Sequence, residues 1–378
     1  MRHARVGGTE QVLDLLARHL AERGHEVTIV CRSHVEPPHP SVRFAVLRRP
    51  VPGAAWRMWA FARDVERHLS GARYDVTLAL GKTWTHDVVR TGGGSHRTYL
   101  ERARPHERRL WRWRTPKDLA ALEIERRAFA PGRYKRVIAN SQMVKADVLR
   151  RYAVPEDLVE VIPNGVDLVR FHPRNRPRGA ELRHALGIAP RQPVLLFVGG
   201  GFGRKGLGRL LDALPLLLEA RPQAVLLVLG RDSAQPRYQR QAAALGVAAS
   251  VCFLGQRSDP EVVYAAADLC VLPTWYDSFA FAVVEALASG LPVVTTDLAG
   301  ASELVVPGVH GAVLEGACGP RELSCALVEW TDPGRLAAAG SAARAQAERY
   351  GIERSLERIE ALLCAVAGGA LACARAQA

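Results

Sequence analysis

The 378-residue sequence has little of the chemistry that cysteine can supply. Its seven cysteines, Cys31, Cys252, Cys270, Cys318, Cys325, Cys364 and Cys373, are scattered. No pair has CxxC spacing and none joins histidine at zinc-ligand spacing, which excludes a zinc module and a dithiol redox centre. Most lie in apolar runs and read as small buried hydrophobes of a reduced compartment. Long apolar runs are missing, and so is a leader pattern, so no membrane span is expected and the chain reads as cytoplasmic. No suitable loop carries a DxD-type acid pair, and neither a metal nor a cofactor is expected. Acidic residues are short: 38 Asp and Glu face 51 Lys and Arg, a net charge of +13. Such an excess calls for an acidic partner: nucleic acid, an anionic membrane face or a phosphorylated glycan.

What is present is an alternating α/β pattern with enough apolar residues (48%) for two domain cores. In the second half, strands are expected at Val194–Val198, Ala224–Leu229, Ser250–Leu254, Leu269–Leu272 and Pro292–Thr296, with helices between them. This is the pattern of a doubly wound parallel sheet. The first half has weaker strands at His25–Val30, Val42–Leu47, Tyr74–Leu80, Asp87–Arg90, Lys135–Asn140 and Val159–Ile162. Its start is unusual. Gly7-Gly8-Thr9-Glu10 resembles a turn that follows a first strand, yet only Met1–Val6 precede it, too polar for a buried strand. The first strand of the amino-terminal domain is therefore expected to be missing. Phe171–Gly179, rich in Pro, Arg and Asn, reads as a linker. The expected domains are residues 1–172 and 180–350, with a helix over 351–367 packing back on the first domain and a disordered tail over 368–378.

Two stretches carry chemistry. In Pro193–Gly206 an apolar strand runs into a glycine turn, two adjacent cations, Arg204 and Lys205, and a helix start. Glycine lets a backbone approach an anion, and a helix N-terminus is itself partly positive, so a phosphate or diphosphate is the natural ligand. After the strand ending at Leu272, Asp277 and Glu285 lie eight residues apart, with Ser278, Phe279 and Ala280 at a helix start where backbone amides can face phosphate. Glu285 has apolar neighbours and needs a partner, such as a ligand's hydroxyls. A third zone, residues 90–151, holds 17 Lys and Arg against 6 Asp and Glu, with Trp111 and Trp113 among Arg108, Arg109, Arg112 and Arg114. Aromatic rings among cations suit an anionic membrane interface; a solvated helical face is the plainer alternative.

Taken jointly, Gly7-Gly8-Thr9-Glu10, Asn164-Gly165-Val166-Asp167 with Phe171, Arg204-Lys205-Gly206 and the acid-x7-acid segment running to Pro292 resemble the family 4 retaining glycosyltransferases. The resemblance implies a GT-B fold, two Rossmann-like doubly wound domains facing a cleft. The Phe202-Gly203-Arg204-Lys205-Gly206 turn is similar to the lipopolysaccharide core glucosyltransferase I branch, which uses UDP-glucose. The resemblance further implies that Arg204 and Lys205 bind the donor diphosphate, that Glu285 holds the ribose hydroxyls and that Asp277 contacts the donor sugar. Gly8 would lie near the diphosphate or the acceptor. His96 matches a loop histidine that contacts the donor sugar, with His86 as its rival. Asp277 replaces the family's usual glutamate and Ala280 its usual glycine.

The expected activity is metal-independent, retaining transfer of a hexose, with glucose from UDP-glucose the favoured donor, to a lipid-linked or phosphorylated glycan such as the lipopolysaccharide core. Residues 90–151 would meet the anionic inner face of the cytoplasmic membrane as a peripheral contact, and nucleic acid is not expected as a partner. Two other readings stay open. Gly201-Phe202-Gly203-Arg204-Lys205-Gly206 satisfies G-x-G-x-x-G with Asp232 beyond the next strand, as in a dinucleotide oxidoreductase. A decayed, non-catalytic basic binding protein is the other.

Overall fold

The computed structural model describes residues 8–103 and 115–368. They form two compact units. Unit 1 holds residues 8–99, 115–163 and 353–368, and unit 2 holds 100–103 and 164–352.

Unit 2 is built on one six-stranded sheet: β7 (Val194–Val198), β8 (Val225–Leu229), β9 (Val251–Gly255), β10 (Leu269–Leu272), β11 (Val293–Thr296) and β12 (Gly311–Leu314). The spatial order is β12-β11-β10-β7-β8-β9, and every neighbouring pair is parallel. Strands such as Val-Leu-Leu-Phe-Val and Leu-Cys-Val-Leu are apolar at every position because helices cover both faces. One continuous core results, running from Phe197 and Phe202 through Leu210, Leu214 and Val271 to Leu287 and Trp330. The chain enters at β7, builds outward to β9, then returns to β10 on the other side of β7. The reversal between β7 and β10 is the switch point at which a doubly wound sheet leaves a crevice beyond its strands' carboxyl ends.

Unit 1 has shorter strands in two separate sheets. β1 (Thr28–Cys31) pairs with β2 (Arg43–Val46), while β3 (Leu78–Ala79), β4 (Val88–Arg90), β5 (Arg136–Ala139) and β6 (Val159–Val161) form a second parallel sheet. The strand expected over Tyr74–Leu80 is reduced to the two residues of β3. The helix Ile352–Ala367 contributes Glu360, whose carboxylate is met by His19 Nε2 at 3.0 Å, Arg23 Nε at 2.8 Å and His25 Nε2 at 2.9 Å. The expected lack of a first strand concerns residues 1–6, outside the described residues, as does Gly7. The tail beyond Gly368 and the Arg108, Arg109, Trp111, Arg112, Trp113 and Arg114 cluster also lie outside them.

The stretch Phe171–Gly179, expected as a linker, is folded into unit 2. Phe171 is buried, Pro173–Asn175 forms a 3-10 turn, and a helix runs over Arg176–Ala185. Two arginines of this helix cap a neighbouring helix. Arg176 donates to the Ala267 carbonyl at 2.9 Å and Arg183 to the Ala266 carbonyl at 2.6 Å, at the end of the helix Pro260–Ala266. A Cβ on Gly179 would stand 2.3 Å from the Ala265 carbonyl carbon, so glycine sets how closely the two helices approach.

Candidate functional site

The loops that follow β7 and β10 meet at the switch point. The first, Gly199–Gly206, is pinned by Phe202, whose fully buried ring packs edge-on against Phe197 and Tyr238. The Phe202 amide donates to Asp232 at 2.7 Å. Asp232 is thus committed to holding the glycine loop and to the Ala234 amide at 2.8 Å. The acid that a dinucleotide oxidoreductase would turn to a ribose here serves the backbone instead.

Glycines let the loop close on itself and on its neighbour. Gly199 has φ of +123°, and a Cβ there would come within 2.5 Å of Lys205 Nζ. The bare backbone lets the ammonium lie against the strand end and donate to the Val198 carbonyl at 3.3 Å. Gly206, with φ of +83°, starts the helix Leu207–Ala220, and a Cβ on it would meet the Pro273 carbonyl oxygen at 1.9 Å. The two loops are also stitched by hydrogen bonds. The Arg204 carbonyl accepts from the Trp275 amide at 2.8 Å and from the Thr274 hydroxyl at 3.0 Å.

Asp277 is the centre of this arrangement. Its Oδ2 takes a bond from Arg204 Nη1 at 2.9 Å and lies 3.7 Å from Lys205 Nζ. Its Oδ1 accepts from the Phe279 and Ala280 amides at 3.3 and 2.9 Å, at the start of the helix Phe281–Ala288. Its backbone is fixed between the Leu298 carbonyl at 3.0 Å and the Gly300 amide at 2.8 Å. Burial would raise its pKa, but the Arg204 and Lys205 cations outweigh burial and hold it at about 2. Lys205 is lowered, chiefly by burial and against the pull of Asp277. The site therefore sets two cations against one firmly ionised carboxylate, beside helix-start amides. That is a place where an incoming anion gains charge-assisted bonds. Asp277 thus contacts cations and amides and fixes where Arg204 and Lys205 stand.

Ala280 begins the helix in the left-handed region, at φ 68° and ψ 78°. That conformation normally suits glycine and explains why a glycine is usual there. Glu285 lies one turn into the helix, and burial raises its pKa. The partner its apolar neighbours demanded is internal: the Tyr264 hydroxyl donates to Oε2 at 2.6 Å. Tyr264 was not a sequence candidate. Its one signal was that a buried glutamate needs a donor, and a phenol 21 residues upstream supplies it.

The remaining candidates belong to unit 1. Gly8 is the first residue of the helix Gly8–Glu22. His96 follows Ser95, which caps a single helical turn. Its amide donates to both Glu125 oxygens, at 3.1 and 2.9 Å, and its Nε2 lies 3.2 Å from Asp118 Oδ1. A carboxylate only accepts, so Nε2 carries the hydrogen and Nδ1 is left as the acceptor. Burial and then Lys82 lower the His96 pKa against Glu125 and Asp118, which favours the neutral ring. His86 is more deeply buried and is lowered to about 4 by burial. Its ring is shut away from solvent, and of the two histidines only His96 is partly exposed. Among the described residues no helix is long and apolar enough to cross a membrane.

Two family models divide the sequence. The glycosyl transferases group 1 model matches residues 180–344 and the glycosyltransferase family 4 model matches residues 6–170. The lipopolysaccharide glucosyltransferase WaaG of Escherichia coli (strain K12) is 28% identical over 317 residues, 82% of this chain and 82% of the relative. The D-inositol 3-phosphate glycosyltransferase of Segniliparus rotundus is 33% identical over 251 residues, and the chain spans 55% of that relative's length. The crystal structure of WaaG, a glycosyltransferase involved in lipopolysaccharide biosynthesis, superposes with a TM-score of 0.81 at 25% identity, over 96% of this chain and 97% of that one. Anabaena Alr3699/HepE, solved with UDP-glucose, shares the fold with a TM-score of 0.69 at 21% identity, over 97% and 98% of the two chains. With one model on each half of the sequence and parallel sheets that superpose on the WaaG structure, the chain belongs to the family 4 glycosyltransferases and has their GT-B fold.

Proposed function

We propose that the chain is a retaining hexosyltransferase that moves glucose from UDP-glucose to a lipid-linked glycan of the lipopolysaccharide-core type. The observation that carries this is the Arg204, Lys205 and Asp277 cluster at the switch point of unit 2. Departure of a sugar leaves charge on diphosphate oxygens. Arg204 and Lys205 would stabilise that charge from fixed positions, with no divalent cation required. Glu285 would take the ribose hydroxyls, and the Ser278, Phe279 and Ala280 amides would face phosphate. Asp277 would hold the cations in place and reach the sugar hydroxyls. Retention follows if the acceptor hydroxyl attacks on the face the leaving group departs from, with the diphosphate oxygen taking the acceptor's proton. No protein nucleophile enters such a step. His96, neutral and with Nδ1 as acceptor, would receive a hydroxyl of the donor sugar, and Gly8 would approach the diphosphate or the acceptor. Glucose and the glycan acceptor are supported by the similarity to the Escherichia coli glucosyltransferase.

The test is thermal unfolding of the full chain with UDP, UDP-glucose and NAD. UDP or UDP-glucose should stabilise the wild type, and Arg204→Ala should weaken UDP binding by roughly 10- to 100-fold, the worth of about 1.5–3 kcal/mol for a charged hydrogen bond. Glu285→Ala should weaken it as well. Stabilisation by NAD alone would return the oxidoreductase reading, and no response from a folded chain would favour a non-catalytic protein. Peripheral membrane contact through residues 90–151 is a separate part of the proposal. Charge reversal at Arg108, Arg109 and Arg112 should weaken binding to anionic liposomes, and unchanged binding would remove it.

A further inference from the structure

Asn164-Gly165-Val166-Asp167 with Phe171 is the sequence motif to which the reaction assigns no chemistry. Its geometry leads to Glu285. Asp167 Oδ1 accepts from the Val169 and Arg170 amides at 3.0 and 2.8 Å, and its carbonyl accepts from the Phe171 amide at 2.9 Å. This tight turn delivers Phe171 into the core, where its ring meets that of Tyr264 edge-on, centroids 5.4 Å apart and planes at 90°. Tyr264 is fully buried, and its hydroxyl reaches Glu285 at 2.6 Å. Two arginines brace the ends of this chain of contacts. Arg170 joins the turn to the helix that carries Tyr264, donating to Glu261 at 2.9 Å and to the Ser258 carbonyl at 2.8 Å. Arg344 Nη1 donates to the Phe171 carbonyl at 3.0 Å and to the Ala288 carbonyl at 3.0 Å, so it ties the turn to the carboxyl end of the helix that carries Glu285.

We infer that Tyr264, seated by Phe171, is a positioning residue that fixes the Glu285 carboxylate for the ribose hydroxyls of the nucleoside diphosphate donor. The inference rests on the reading of the donor site given above. A buried carboxylate with nothing on it would rotate about its terminal torsion and take up a proton. One short bond from a rigid phenol sets the carboxylate plane and favours the ionised form. Both oxygens keep lone pairs for a vicinal diol, since each can accept twice. Phe171 and Tyr264 are held by backbone turns and by arginine bonds to carbonyls, so the alignment is built before any ligand arrives. The arrangement makes a specificity statement: the phenol matters to a ligand only through its sugar hydroxyls, and not through its phosphates.

The experiment compares UDP, ADP and GDP with their 2′,3′-dideoxy counterparts by titration calorimetry on the full chain. In the wild type the nucleotide that binds should exceed its dideoxy form by tenfold or more. Tyr264→Phe keeps the ring against Phe171 and removes only the hydroxyl. It should cut that preference to about threefold or less, with affinity for the dideoxy form unchanged and the unfolding temperature close to wild type. Without its donor, Glu285 should hold a proton to higher pH, so the acid limb of the affinity profile should move upward by half a unit or more. Phe171→Leu should give a smaller change of the same kind. A preference and profile in Tyr264→Phe identical to wild type would overturn the inference while Arg204→Ala still weakened binding. Equal loss for both ribose and dideoxy forms would overturn it as well, since that marks a general structural defect. If none of the three diphosphates bound the wild type, the donor-site reading itself would fall, and this inference with it.

Discussion

The two units solve the same problem with different means. Unit 2 has one six-stranded sheet and one apolar cluster that reaches from β8 to Trp330. Unit 1 divides its described strands between two sheets, and its buried residues form separate clusters around Val137, around Ile29 and around Trp84. Charged side chains hold these parts together. Asp147 collects Thr98 at 2.7 Å and Arg151 at 2.7 Å, Glu125 collects Lys82 at 3.0 Å and the His96 amide, and Glu360 collects His19, Arg23 and His25. Apolar burial is indifferent to pH, while half-buried ion pairs depend on protonation and on salt. Unit 2 should accordingly be the stable platform and unit 1 the part that responds to solution conditions.

The largest effect belongs to unit 2. Gly206→Ala puts a methyl against the Pro273 carbonyl and forces a left-handed backbone, so it should cost at least about 4 kcal/mol. If calorimetry shows unit 2 unfolding at its wild-type temperature, the two loops are not locked as described. The next effect separates the units by pH. Folded His86 stays neutral down to about pH 4, whereas an unfolded histidine binds a proton near its usual 6.5. Between those values the unfolded chain holds more protons, so stability is complete above about 6.5 and declines as pH falls, by on the order of 3 kcal/mol in all. His172 and His310 in unit 2 are also lowered by burial and soften it somewhat, while Asp277, held at about 2, keeps its contribution until the pH is below the ordinary carboxylate range. Hydrogen exchange between pH 7 and 4 should open unit 1 first, and simultaneous opening would break the contrast.

A smaller change tests the polar ties directly. Glu360→Gln should destabilise unit 1 by roughly 2 kcal/mol, because the carboxylate is buried although Arg23 is half exposed. Burial opposes, but the bonds from His25, Arg23 and His19 lower its pKa, so this stability is present above the usual glutamate range and is lost as the pH falls below that range through the lowered folded value. The variant should therefore differ most from wild type at pH 7, with the difference shrinking as the pH falls below the usual glutamate range; a constant difference would point to packing. The smallest effects are two matched caps, about 1 kcal/mol each. Thr115→Ala removes the capping box of Pro116–Ala128 in unit 1, and Asp332→Ala the cap of Pro333–Glu348 in unit 2. If unit 1 is the weaker, the same loss should remove a larger fraction of its unfolding free energy in urea titrations.

The same contrast explains what could be read from sequence. β7 and β10 were located to the residue, because a strand buried on both faces is an unbroken apolar run bounded by Pro or Asp and by Gly or Pro. β3 shrank to Leu78–Ala79, since its neighbour Thr77 is bonded to the Asp87 carboxylate, its hydroxyl at 2.7 Å. β12 was missed: it opens on Gly311 at φ 142° and sits half-buried at the sheet's edge, where neither periodicity nor composition marks it. The folded stretch after Phe171 was misread because its arginines look solvated in sequence, yet Arg176 and Arg183 bond to carbonyls at the end of a helix. In the site, Arg204, Lys205 and Asp277 were legible as charges beside a glycine turn. That they grip one another was not, since it depends on two loops 70 residues apart meeting at the switch point. Tyr264 was illegible for the same reason: nothing local to its helix marks that phenol as the partner of Glu285.

Unit 1 is completed late in synthesis. The unit is discontinuous: Glu360 closes on His19, 341 residues earlier, and the whole of residues 164–352 is translated between the two parts. At about 5–20 residues per second, the ribosome needs roughly 10–40 seconds to cross that interval. Unit 2 can begin folding as its own contiguous strands emerge, while the early segment waits with His19, Arg23 and His25 still without their acid. Synthesis order thus runs against chain order, and the amino-terminal half is the last to be completed.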